Sequence, residues 1–199
     1  MKNLIYIVML FASYSGKSQI INIRDQGIVD IAPGQHYKDV DNLLNPFEGT
    51  WVFDDGIRYL KIILVKRINH YNGSYTNDYI YGGYEYKVNN QTLVNTLNDA
   101  NTIYNSRLKY SIYGNGIFES YDQPICNDCD LNEIRLFLSL SEPASILNGS
   151  LIIKKTNVNG QEAIKLNLTG SNSTYYKDGT PPPPGDFVLP SGDYILIKQ

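Results

Sequence analysis

The chain predicts an all-β protein built as a single-domain antiparallel meander. Three observations carry that reading: apolar residues recur with period two along the chain after Trp51, asparagine- and glycine-rich turns punctuate those runs, and no long amphipathic helical pattern interrupts them. Parallel α/β architectures need crossover helices between their strands, so they are excluded. Short strands joined by tight turns close into a barrel or pack as an open β-sandwich. The barrel is the primary expectation and the open sandwich its alternative.

Taken in order, residues 1–18 read as a signal peptide. Lys2 supplies a positive start, Leu4 to Ala12 is almost unbroken apolar, and Ser15-Gly16-Lys17-Ser18 offers small residues for cleavage before Gln19. The apolar run is about half the ~20 residues a spanning helix needs. The expected mature protein is therefore exported, periplasmic or secreted, with no membrane span after signal cleavage. Residues 19–45 form an N-terminal segment in which Ile20-Ile21-Asn22-Ile23 and Gly27 to Ile31 suggest short strands, and Asp39 to Leu44 a helical turn. The barrel domain occupies 46–199.

Within that domain Ile57 to Arg67 is the longest alternating run, with Leu60, Ile62 and Leu64 on one face. Ile134 to Leu140 and Ile164 to Leu168 repeat the scheme. Further strands are placed at Asp78–Val88, Gln91–Thr96, Arg107–Ile112, Ile117–Tyr121, Leu151–Lys155 and Tyr194–Lys198. Asn89-Asn90, Gly114-Asn115-Gly116 and Asn157-Val158-Asn159-Gly160 read as hairpin turns, because Asn and Gly accept positive φ. Gly82-Gly83 reads as a turn or, preferentially, a bulge. Thr180 to Gly185 holds successive prolines that cannot join a sheet interior, so it is expected to be an extended spacer.

Composition narrows the function classes. At 42% hydrophobic and 19% charged residues the chain is an ordinary globular sequence, and its net charge of −3 gives no reason to expect a nucleic-acid partner. It contains no nucleophile elbow, zinc-protease helix or phosphate loop, so the expectation is a protein that is not an enzyme and uses no cofactor. Asp54-Asp55-Gly56 is read as a turn rather than a catalytic carboxylate pair.

Gly49-Thr50-Trp51 resembles the Gly-x-Trp that opens the first barrel strand of lipocalins and the wider calycin group. The resemblance implies that Trp51 plugs one end of a lipocalin-like barrel, with Gly49 and Trp51 as structural residues. The arginine that covers the indole in that group is missing, and Lys198 is the cation available to replace it. Phe47 to Phe53, Tyr59 to Val65, Gly83-Tyr84-Glu85-Tyr86 and Ile195 to Gln199 together are similar to a family of small exported proteins of flavobacteria and their relatives, a domain of unknown function. That resemblance implies export and β architecture and transfers no catalytic residue.

Cys126 and Cys129 are the only cysteines. In an oxidising compartment they are expected to form a local disulfide rather than half of a zinc site or a redox-active pair, and no metal is expected. Asp128-Cys129-Asp130-Leu131-Asn132 imitates the start of a calcium loop, but Glu133 stands where glycine is required. Tyr79, Tyr81, Tyr84 and Tyr86 cluster in one predicted strand and are the candidate ligand-binding residues, because amphipathic aromatics suit such contacts. The leading expectation is binding of a small apolar ligand or a cell-envelope component. A structural or protein-interaction module with a filled core is the alternative, and a hydrolase with scattered residues is third. A cavity inside the barrel separates the first two.

Overall fold

The structure is a computed structural model that describes residues 19–25, 32–142, 147–171 and 187–199. The predicted signal, the Gly27 to Ile31 stretch and the proline run lie outside the described residues. The strands are β1 (Ile20–Asn22), β2 (His36–Lys38), β3 (Gly49–Asp54), β4 (Arg58–Tyr71), β5 (Thr76–Val88), β6 (Gln91–Asn95), β7 (Ile112–Phe118), β8 (Arg135–Ser141), β9 (Asn148–Val158), β10 (Gln161–Ser171) and β11 (Gly192–Lys198). Eight of them close in the order β5-β4-β3-β11-β10-β9-β8-β7 and back to β5, every pair antiparallel. The sandwich alternative is thereby set aside.

Closure depends on two junctions. At the first, β3 meets β11 through Val52 opposite Ile197 and Trp51 opposite Lys198, and Gln199 N donates to Thr50 O at 2.9 Å. At the second, one edge of β5 is shared along its length by β2 at Thr76–Asn77, β7 at Ile80–Gly82 and β6 beyond Glu85. Most of that edge is thus paired, which removes a template for aggregation.

Strand parity sorts the side chains as the sequence predicts. Leu60, Ile62 and Leu64 of β4 face inward with Leu136, Leu138 and Leu140 of β8 and Ile164, Leu166 and Leu168 of β10, all at 1% exposure or less. Asn89 (φ 50°) and Asn90 (φ 62°) turn β5 into β6, and Asn159 and Gly160 turn β9 into β10 with φ also positive. Asp55 caps its own turn by accepting from the Ile57 and Arg58 amides.

Two predictions about glycine need correction. Gly82 and Gly83 form neither a turn nor a bulge: β4 and β5 stay in register through Ile63–Gly83 and Leu64–Gly82. Their missing side chains serve close packing, because a Cβ on Gly82 would lie 1.9 Å from Ile63 O and one on Gly83 1.9 Å from Thr96 O. Gly114-Asn115-Gly116 is not a hairpin either. A single strand, β7, runs through it with a register shift between Tyr113 and Gly116, and Asn115 is fixed by donating to Asp78 O at 2.9 Å. The strand expected at Arg107–Ile112 is replaced by a 3₁₀ turn over Arg107–Lys109 whose cap, Ser106, accepts from the Leu108 amide.

Both barrel ends are shut. At the end where β3 begins, Tyr37, Leu44 and Phe47 are fully buried beneath Asp39, which accepts from the Leu43 and Leu44 amides and from Lys66 Nζ at 2.6 Å. Asp78 beside it accepts from His36 Nε2 and from the Asp39 and Asn69 amides. At the opposite end Glu142, 1% exposed, accepts from the Val188 and Leu189 amides. These buried carboxylates are saturated by donors, which offsets their desolvation.

Candidate functional site

Trp51 lies in β3 at the seam with β11. Its indole is 0% exposed, and Nε1 donates to Phe47 O at 2.9 Å. Lys155 and Lys198 place their ammonium groups 4.5 and 5.2 Å from the ring centroid. Glu162 bridges both lysines, and their hydrogen bonds hold its carboxyl below the usual carboxylate range. Gly49 leaves a path for the Lys198 stem, since a Cβ there would meet Lys198 Cε at 3.1 Å.

The candidate tyrosines divide by parity. Tyr84 and Tyr86 point into the main core, where burial raises both hydroxyl pKa values. Tyr84 Oη also reaches Glu142 at 3.5 Å. Tyr79 and Tyr81 lie on the outer face but are covered by the 97–110 connection, packing with Tyr110 in a separate aromatic cluster flanked by Val65, Tyr104 and Tyr113. Arg67 Nη1 donates to Tyr104 O and Tyr110 Oη, tying that cover to β4. Burial pushes the Tyr79 phenol up to about 12. The four tyrosines are therefore brought to two opposite faces and do not line one cavity.

Cys126 and Cys129 are joined as a disulfide with Cα atoms 5.4 Å apart. They belong to the 119–134 connection, which folds back over the outer wall of β8–β11. A cleft of about 320 Å³ lies between the two. Its wall includes Arg135, Ile152, Lys154, Lys165, Asn167 and Asp193, and its roof Pro124 to Asp128. Arg135 is only 4% exposed and fastens the roof: Nη1 donates to Pro124 O, and Nη2 to Glu119 O and Asp122 O.

Register places three cations in one row, with Arg135 opposite Lys154 and Lys154 opposite Lys165. Like charges directly opposed across strands repel. Asp128 Oδ2 descends from the roof to Lys154 Nζ at 3.1 Å and Lys165 Nζ at 3.5 Å, and the Lys154 hydrogen bond is the main reason its carboxyl stays below the usual range. Sequence reading missed this row. Alternation sets Lys165 opposite the apolar face of Ile164, Leu166 and Leu168, while Lys154 falls only within a predicted strand; no local signal reports which residues stand opposite each other across strands.

A closed eight-stranded antiparallel barrel with a side-chain-filled lumen, a fully buried tryptophan at its closing seam and a disulfide-stapled outer loop defines a class of architecture rather than an activity. The chain belongs to a family of unknown function, DUF6705, whose pattern matches residues 1–199. Comparison with curated proteins and with solved structures gives no significant match. Among the described residues no helix is long and apolar enough to cross a membrane.

Proposed function

We propose that the protein is an exported, non-enzymatic interaction module that meets its partner through the outer wall of the barrel. The filled lumen carries this reading: one continuous cluster from Trp51 through Ile62, Tyr84, Leu138, Ile153, Leu166 and Leu196 occupies the interior, and both ends are capped. A ligand seated there would have to displace close-packed side chains, at a cost of the order of a cavity-forming substitution for each. The filled core supports the interaction-module alternative over binding of a small apolar ligand, the first expectation from sequence. The donor-saturated state of Asp39, Asp78 and Glu142 supports structural rather than acid–base duty for these buried carboxylates. Export rests on the leader pattern together with the disulfide, a bond favoured in oxidising compartments.

A fluorescent fatty acid tests the lumen directly. Titration into native protein should give no saturable binding and no change in Trp51 emission. Stoichiometric binding with energy transfer from Trp51 would return the function to the lumen. Photo-crosslinkers at Asn167 on the cleft wall and at Tyr59, outside that cleft, should trap envelope material only from Asn167.

A further inference from the structure

The cationic row beneath the disulfide loop is stabilised by a carboxylate that the protein supplies to itself. Among the described residues, Arg135 makes no ion pair, its guanidinium being met by carbonyl oxygens, and Nε has no hydrogen-bond partner. Lys154 and Lys165 share a single oxygen of Asp128, whose side chain is 63% exposed and is held on the loop rather than in the wall. The row's three cations are met by a single exposed carboxylate, with Lys154 Nζ donating also to Asp128 O at 3.0 Å, and an anion entering the cleft would find two ammonium groups already spaced to share one of its oxygens.

The rim identifies what would carry that anion. Ile125 of the roof, 58% exposed, lines the cleft beside Ile152, and it stands on the same loop as the exposed Tyr121 and Leu131. A large apolar side chain left in water inside a charged cleft, on a loop that exposes two more, marks a surface that a polypeptide covers. At the other end of the cleft Asp193, accepting from Asn167 Nδ2 at 2.7 Å, repels a second carboxylate. The cleft therefore has a direction, with an acid at the lysine end and neutral or donor groups toward β11.

We propose that this cleft is a docking site for an acidic peptide segment of a partner protein, a Glu or Asp side chain displacing Asp128 from Lys154 and Lys165 while a flanking apolar residue covers Ile125. The proposal rests on the outer-wall reading and gives it an occupant. Asp128 acts as an internal competitor, so its removal should tighten binding.

The probe is an N-acetylated, C-amidated peptide carrying one Glu between leucines, with its Gln counterpart as control, titrated into the full mature chain by calorimetry and amide chemical-shift mapping. The Glu peptide should bind in preference, with shifts on 119–134 and the outward residues of β8–β10, and weaken with added salt. Lys165→Gln should weaken it about tenfold, a typical effect for one lost charge contact of ~1.4 kcal/mol. Asp128→Asn should strengthen it severalfold; Trp51 emission and the unfolding midpoint verify that both variants are folded. Equal binding of Glu and Gln peptides, or weaker binding by Asp128→Asn, overturns the proposal. Free glutarate binding as tightly as the peptide also overturns it, by showing a small-acid site. Charge-independent shifts on the same wall would sink the carboxylate assignment and leave the outer-wall reading standing, whereas shifts confined to inward-facing residues would sink both.

Discussion

Replacing Trp51 by alanine tests the architecture at its closing seam. The indole is fully buried, pairs through its backbone with Lys198 of the last strand, and donates to Phe47 O. Truncating a buried Trp costs ~3–5 kcal/mol for the lost transfer and the residual cavity, and the freed Phe47 carbonyl adds about 1 kcal/mol if water cannot reach it. The two lysines over the ring contribute little further, because both side chains are partly solvated. Trp51→Ala should therefore lose about 4–6 kcal/mol, a large part of the ~5–15 kcal/mol available to an ordinary domain. Trp51→Phe keeps most of the packing and loses the hydrogen bond, so it should lose about 1–3 kcal/mol. Urea unfolding followed by far-ultraviolet circular dichroism suits both, since the chain has no second Trp to report fluorescence. A loss under ~1 kcal/mol for Trp51→Ala, together with red-shifted and readily quenched emission from the native protein, would refute the plug and the energetic weight given to the seam.

Gly82→Ala should cost about 3 kcal/mol or more, beyond ordinary overpacking, because its Cβ would collide with backbone at Ile63; a near-native unfolding midpoint would contradict the close β4–β5 approach. The paired change Cys126→Ser with Cys129→Ser should lose only about 2 kcal/mol, since so short a loop constrains the unfolded chain little, and limited proteolysis should then cut first within 119–134; global unfolding would show that the bridge holds the barrel itself. His70 is 5% exposed, and burial, followed by the charges of Arg67 and Arg107, lowers its pKa from 6.5. A base whose folded pKa is depressed leaves the unfolded chain binding more protons, so stability is complete above about pH 6.5 and falls as pH drops from there toward the folded value. His70→Phe should flatten that acid slope in thermal melts, and an unchanged slope would remove His70 from the account.

Much of the wall was legible residue by residue. Alternation in Ile134 to Leu140 assigned Leu136, Leu138 and Leu140 to the core because a strand's side-chain period is a property of the local backbone. The Asn89-Asn90 turn was legible for the same reason: positive φ is tolerated or refused by the residue itself. Glycine misled where its role was not local. Gly82 and Gly83 look like a break in β5, yet what requires them is the approach of Ile63 and Thr96, residues 19 and 13 positions away along the chain. Gly114 likewise suggests a turn, whereas its absent Cβ keeps clear of Phe137 O on the neighbouring strand.

The sequence by itself determined an all-β chain, the inward and outward faces of its clearest strands and most of its hairpins, and it raised the burial of its single Trp and a local bridge between Cys126 and Cys129 as expectations. Only the tertiary structure decided that the sheet closes through Trp51 and Lys198, that the tyrosines of β5 part to opposite faces, that the lumen is filled, and that Arg135, Lys154 and Lys165 form one row under a folded-back loop. The division has a physical cause. Strand propensity, turn chemistry and side-chain parity act within a few residues, whereas register, closure and loop docking depend on the packing of segments distant in sequence, and the candidate cleft consists almost wholly of the second kind of contact.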